Sequence, residues 1–293
     1  MSKHKPADQP ILIVILKTIL NPALRKTGLR CFKRIIYNFF LLQYKAALRR
    51  SIPVSRVDHP LDGKIPFLPG WVGTYLDFTS FWIRITGFVL DRYGTRGERL
   101  LGDFIDSMGR VYAFAAEVYA RNLSTTSRPR YLGSLRFILI HAADPHLMCI
   151  PSLHVMVMIR SYTGLTAIVR ELGDEEALAL QLLEIRRGAL AITEAVLYVK
   201  QHSVNCIAAA MYAMTRFDLS FPPGEAEGFA SGLFTGPGPI SPEDRAAIRD
   251  HIIDLYRRFL NEGENAPSWE EPLLRFLRAH PEKDCNFRQT AAQ

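Results

Sequence analysis

The chain has 293 residues, enough for one large domain or two small ones. Hydrophobic residues make up 48% and mean hydropathy is +0.03, above an ordinary soluble enzyme and below a clean polytopic membrane protein. A net charge of +7 favours anionic partners such as phospholipid headgroups, nucleic acid or phosphorylated substrates, and four cysteines without a CxxC pair argue against a zinc ribbon or a disulfide scaffold.

The N-terminal stretch "MSKHKPADQPILIVILKTIL" has a basic start and a short apolar core but no small-x-small cleavage site, so it does not read as a signal peptide. Its apolar core, at about ten residues, is short of the roughly 20 that a bilayer span needs. Residues 10–50 read as amphipathic helix. Between 17 and 50 the chain carries Lys17, Arg25, Lys26, Arg30, Lys33, Arg34, Lys45, Arg49 and Arg50 with no Asp or Glu, a pattern suited to a membrane interface. Residues 51–70, "SIPVSRVDHPLDGKIPFLPG", hold four prolines and two glycines and are expected to be irregular, with Asp62 capping or turning the loop before "KIPF". Residues 71–90 are mostly apolar and aromatic but contain Asp77 and Arg84. Two turns separate the two charges, so they share one helical face and are expected to point into a protein interior.

Residues 96–120 are helical, 121–130 form a polar, basic loop, and 131–146 are short and apolar. Residues 154–170 and 188–215 read as two further apolar helices with a charged helical stretch between them. A linker rich in Gly, Pro and Phe covers 216–240. Ser241 then caps a helix with Pro242 in its first turn and Gly263 after its end. A second short helix starts near Ser268, and the last dozen residues are expected to fray. Strand signals are weak throughout, so the fold class is all-α.

No run of 18 clean apolar residues exists, because Arg84, Arg136, Arg160, Glu194 and Lys200 interrupt the apolar segments. Polar groups at lipid depth are tolerated where they line a functional cavity, and on that ground a membrane-embedded bundle is expected. The positive-inside rule would then put 17–50 in the cytoplasm.

Three separated pieces carry chemistry: "RNLSTTSRP" with Arg121 and Arg128, "PSLH" with Ser152 and His154, and "KQHSVNC" with Lys200 and His202. Guanidinium forks match phosphate oxygens. A helix N-terminus beginning near Ser152 is a ready anion site. His154 could protonate a leaving oxygen and His202 could attack phosphorus. His141, Asp144 and His146 in "HAADPH" offer three potential metal ligands, but the intervening proline prevents a helical pair, and no metal or cofactor is expected. Gly-rich phosphate loops, Gly-x-Ser-x-Gly, HExxH and nucleic-acid recognition motifs are missing from the sequence.

The order of these three blocks resembles the type 2 phosphatidic acid phosphatase (PAP2) and haloperoxidase superfamily. "LDGKIPFLPGWVGTY" is similar to the stretch before a membrane helix in the branch related to inositol phosphorylceramide synthases. The resemblance covers roughly residues 60–215. It implies a helical bundle of that type over 56–216, preceded by a basic amphipathic segment over 1–55 and followed by a soluble helical tail over 217–293. It implies a multi-pass protein of the inner or plasma membrane, acting on a lipid phosphate or phosphodiester through a phosphohistidine. In that scheme His202 is the nucleophile, His154 the general acid, and Arg121, Arg128 and Ser152 hold phosphate, with Lys200 as a substitute positive charge for the arginine missing from the third block. The chain departs from the family where an Asp is expected four residues after the nucleophile, since Cys206 stands there, and where Ala195 and Val196 replace a Ser-Arg pair. The alternative reading is therefore a catalytically degenerate relative with a binding role; vanadate-dependent haloperoxidase chemistry ranks lower. If one tetrahedral anion is shared, His154, His202, Arg128 and Ser152 should converge, with the imidazoles no more than about 10 Å apart.

Overall fold

The computed structural model describes residues 6–49 and 51–281. The last dozen residues, where fraying is expected, lie outside them. The described chain is mostly helical, as the sequence pattern predicts. The first basic stretch is α1 (Ile11–Leu20), α2 (Pro22–Ile35), a π-helical turn (Ile36–Leu41) and α3 (Leu42–Arg49), rather than one helix. The break is local chemistry. Asn21 leaves the helical region and its side chain accepts from the backbone N–H of Ala23 and Leu24 at 2.9 and 3.2 Å, with Pro22 in the first helical position.

The proline-rich segment is mostly irregular, as expected, but it also holds β1 (Val54–Arg56). It is followed by α4 (Val72–Leu76), α5 (Phe78–Tyr93), α6 (Glu98–Tyr119) and then β2 (Leu123–Thr125), which pairs in parallel with β1, Val54 opposite Leu123. This three-residue ladder went unseen in the sequence because it is too short to show alternation. Its use is positional. Ser124 donates its backbone N–H to the Leu147 carbonyl and accepts from Cys149 N–H, and its Oγ accepts from Ile150 N–H at 2.7 Å. β2 thereby clamps the segment that enters the Pro-Ser-Leu-His block.

Next come α7 (Leu135–Ala143), α8 (Leu153–Glu171), α9 (Ala179–Tyr198) and α10 (Val204–Phe217). The apolar run 188–215 is thus two helices. The chain breaks where Lys200 takes a positive φ of 55° and Ser203 caps α10 by accepting from Asn205 N–H. This break lifts His202 out of helix and into a loop. The tail contains α11 (Pro223–Ser231), α12 (Pro242–Glu264) and α13 (Glu271–Arg278). Ser241 Oγ accepts from Asp244 N–H, so the expected cap is in place.

α8 lies at the centre, against α5, α6, α9 and α10. Every residue of α10 from Val204 to Met214 is buried, which accounts for its apolar sequence; the one amide, Asn205, donates to the Val57 carbonyl and meets His251. α12 packs along α10 and α13 reaches β1, so the tail helices share one hydrophobic cluster with the rest. The charges inside the apolar segments find partners. Arg84 holds Asp77 in a two-pronged pair at 2.8 and 2.5 Å, and Arg160 reaches Asp218 at 2.8 Å and Ser107 Oγ at 2.7 Å. No helix among the described residues is long and apolar enough to cross a membrane, so the multi-pass expectation finds no span among them.

Candidate functional site

Ser152 is the N-cap of α8 and His154 sits in its first turn, so the PSLH block delivers two side chains at a helix N-terminus. The turn is fixed from behind by the Tyr119 hydroxyl, which donates to the Pro151 carbonyl. His202 arrives from the break between α9 and α10. Its Nε2 lies 3.3 Å from His154 Nδ1 and 3.3 Å from Ser152 Oγ. The ring centroids are 5.3 Å apart, well inside the limit set by a shared phosphate. Ser152 is fully buried and His202 nearly so. The His154 ring, part of which reaches solvent, packs against Tyr75 and Phe78 at centroid distances of 4.6 and 4.1 Å.

Arg128 joins this group. Its guanidinium donates to Gln201 Oε1 at 3.1 Å and to the Asp144 carbonyl at 2.9 Å, and lies 3.6 Å from the Asp144 carboxylate. Asp144 and His146 belong here too. His146 Nε2 lies 2.9 Å from Thr126 Oγ1, its backbone N–H donates to Asp144 Oδ1 at 2.8 Å, and Gln43 from α3 donates to the same oxygen at 2.8 Å. The sequence marks His141, Asp144 and His146 as a titratable trio. It does not show that Asp144 and His146 surround the guanidinium of Arg128.

The remaining two candidates are held elsewhere. Arg121, with 58% of its side chain exposed, pairs with Glu270 at 2.9 Å. Lys200 donates its ammonium to the Asp62 and Ile65 carbonyls. The structure does not bring either one to the histidines, and for the same physical cause: a cation goes to the nearest strong acceptor, and tertiary packing supplies one. Asp62 takes its expected turn role and a second one. Its Oδ2 accepts from His59 N–H at 2.7 Å and its Oδ1 from Val204 N–H at 2.9 Å, which ties the "LDGKIPF" loop to the start of α10. Glu194, the acid that interrupts the apolar segment before His202, accepts from Phe234 N–H.

Electrostatics divide the cluster. Burial lowers the pKa of His154 to about 4 and drives that of His202 well below the ordinary imidazole value, helped by the charge of its neighbouring rings, so both are neutral near pH 7. Burial also opposes the charged form of His146, but the Cys149 sulfur and the Asp144 carboxylate outweigh it and hold that ring up at about 9. Burial would raise Asp144, yet His146 and Arg128 overcome it and keep this carboxyl well below the usual range. Two neutral rings therefore adjoin a charged trio of Arg128, His146 and Asp144 with one net positive charge. Nδ1 of His202 is buried without a hydrogen-bond partner. The Cys206 thiol, pushed up by burial, is no substitute for a carboxylate.

Compared with protein-family models, with curated proteins and with solved structures, the chain matches none. The chemistry must be argued from the side chains. Among the described residues no three His, Cys, Asp or Glu side chains gather as metal ligands. What the arrangement offers is a neutral imidazole with a second imidazole and a hydroxyl in contact with it, a helix N-terminus directed at the same place, and a guanidinium alongside. These are the parts of an anion site with a nucleophile in it.

Proposed function

We propose that this chain is a phosphatase or phosphotransferase acting on a lipid phosphate or phosphodiester through a phosphohistidine at His202, within a bundle of the PAP2 type. The observation that carries the reading is the meeting of His154, His202 and Ser152 from segments 48 and 50 residues apart, with Arg128 bonded to Gln201, the residue before His202. In the first half-reaction the His202 Nε2 lone pair forms a bond to phosphorus, the bond to the leaving oxygen breaks, and His154 gives that oxygen its proton. In the second, water or an alcohol attacks, His154 takes up the proton, and the phosphorus–nitrogen bond breaks. Arg128, Ser152 and the first N–H groups of α8 hold the non-bridging oxygens. A dianionic phosphate beside His154 raises its pKa and so supplies the proton that burial withholds.

The test is release of phosphate from short-chain phosphatidic acid by the purified, detergent-supplemented protein. Activity that disappears in His202→Ala and falls about 10²–10⁴-fold in His154→Ala supports the reading. A folded protein that releases no phosphate from any lipid phosphate contradicts it.

One set of observations favours a second reading, a degenerate relative that binds lipid phosphate without turning it over. The orphaned His202 Nδ1 lacks the carboxylate that would stabilise a charged ring, and Arg121 and Lys200 are engaged elsewhere. Under that reading Arg128→Ala weakens lipid-phosphate binding while no substitution changes phosphate release.

A further inference from the structure

α1 is built inside out. Val14 is its only buried residue, whereas Leu12 (82% exposed), Leu16 and Leu20 repeat every four residues on open surface. α2 continues the pattern with basic residues mixed in. Leu24 and Cys31 face inward, while Arg25, Leu29, Phe32 and Lys33, spaced four, seven and eight residues apart, share the outward side. On α7, Leu135 and Leu139 are also exposed. α1 alone exposes Leu12, Ile13, Ile15, Leu16, Ile19 and Leu20, an apolar surface that monomers rarely leave in water.

We infer that α1–α3 and α7 form a docking face for an anionic lipid bilayer and lie in its interface plane. Three observations select that occupant over a protein. First, Arg25, Lys26, Lys33 and Lys45 are exposed and have no carboxylate within ion-pair distance among the described residues, and no acidic residue occurs between 17 and 50. An apolar protein interface has no use for such a row of cations, whereas an anionic leaflet attracts it. Second, the ten residues of α1 rise only about 15 Å, half the thickness of a hydrocarbon core, so α1 can bury a face but cannot span. Third, the face runs up to the histidine site. Gln43 of α3 donates to Asp144, and the Tyr44 hydroxyl donates to the Ala143 carbonyl at 2.7 Å, at the end of α7. Docking therefore brings the site to the lipid–water boundary, where a headgroup phosphate can meet it. This last consequence rests on the phosphoryl-transfer reading; the docking itself does not.

The test is flotation of the full chain with vesicles of phosphatidylcholine alone or mixed with phosphatidylglycerol. Binding to the anionic vesicles is expected to be at least about tenfold tighter than to the neutral ones, and to weaken as salt is raised. Leu12→Glu with Leu16→Glu should abolish binding to both vesicles. Arg25→Glu with Lys33→Glu should remove only the anionic preference. All four positions are exposed, so the thermal midpoint should stay unchanged. His202→Ala should bind as the unaltered chain does, which separates a failure of the chemistry from a failure of the docking face. Three results would overturn the inference: no binding to either vesicle, binding indifferent to the leucine substitutions, or a stable dimer that those substitutions split.

Discussion

Arg128 shows how a side chain and its setting decide a role together. Its guanidinium is held between Gln201, the neighbour of His202 in sequence, and Asp144, so Arg128→Ala should lower kcat/KM for a lipid phosphate by about 10- to 100-fold, the worth of one charged hydrogen-bonding group. Arg121→Ala should leave turnover unchanged, because its partner is Glu270. Steady-state kinetics on the two variants checks both. His154, His202, Ser152 and Arg128 were legible in the sequence because each stands in one of the three ordered blocks; a helix start explains Ser152 and His154, whereas the helix break that places His202 did not show. The settings of Arg121 and Lys200 were not, because a lone cation takes its partner from distant parts of the chain: Glu270 for one, the Asp62 and Ile65 carbonyls for the other. Asp144 was visible as a titratable group, but its membership in the site depends on Arg128 and on Gln43, which is 101 residues away.

The loop joining α9 to α10 is where sequence reading and structure part most clearly. Periodicity cannot tell one long apolar helix from two, and Lys200, a good helix former, gives no warning of its left-handed turn. What sets the break is remote. Asp62 accepts from Val204 N–H, and Lys200 reaches back to the Asp62 and Ile65 carbonyls. Asp62→Ala removes two backbone-accepting bonds and should destabilise the fold by about 1–3 kcal/mol, with a larger proportional loss of activity as His202 loses its placement. Thermal melting and turnover, compared with those of the unaltered chain, measure the two effects. The contact between α6 and α8 offers an independent check on packing. A methyl group added at Gly164 would run into the Phe104 ring, so Gly164→Ala should cost about 1–3 kcal/mol without changing the residual pH profile of activity.

Across the molecule, buried histidines set how stability responds to pH. His146, held up at about 9 against about 6.5 when unfolded, lends stability that is complete below pH 6.5 and is lost as pH rises through 9. His154 and His251, both lowered to about 4, work the other way: the unfolded chain protonates first, so stability drains as pH falls from about 6.5 to 4. The thermal midpoint should therefore fall on both sides of about pH 6.5. His146→Gln should flatten the alkaline limb and His154→Asn part of the acid limb. The all-α character was readable from helical periodicity and weak strand signals; the central place of α8 and the separate identity of α10 were not. The basic amphipathic character of 10–50 was readable too, but not which side of α1 the core covers, since sequence does not tell that. The central claim, that His202 is a nucleophile toward phosphorus, is tested most directly by rapid acid-free quenching of the protein with phosphate-labelled short-chain phosphatidic acid, followed by peptide mapping. A label on the His202 peptide that survives base, is lost in acid and vanishes in His202→Ala is the expected result; an unlabelled chain that still releases phosphate would contradict it.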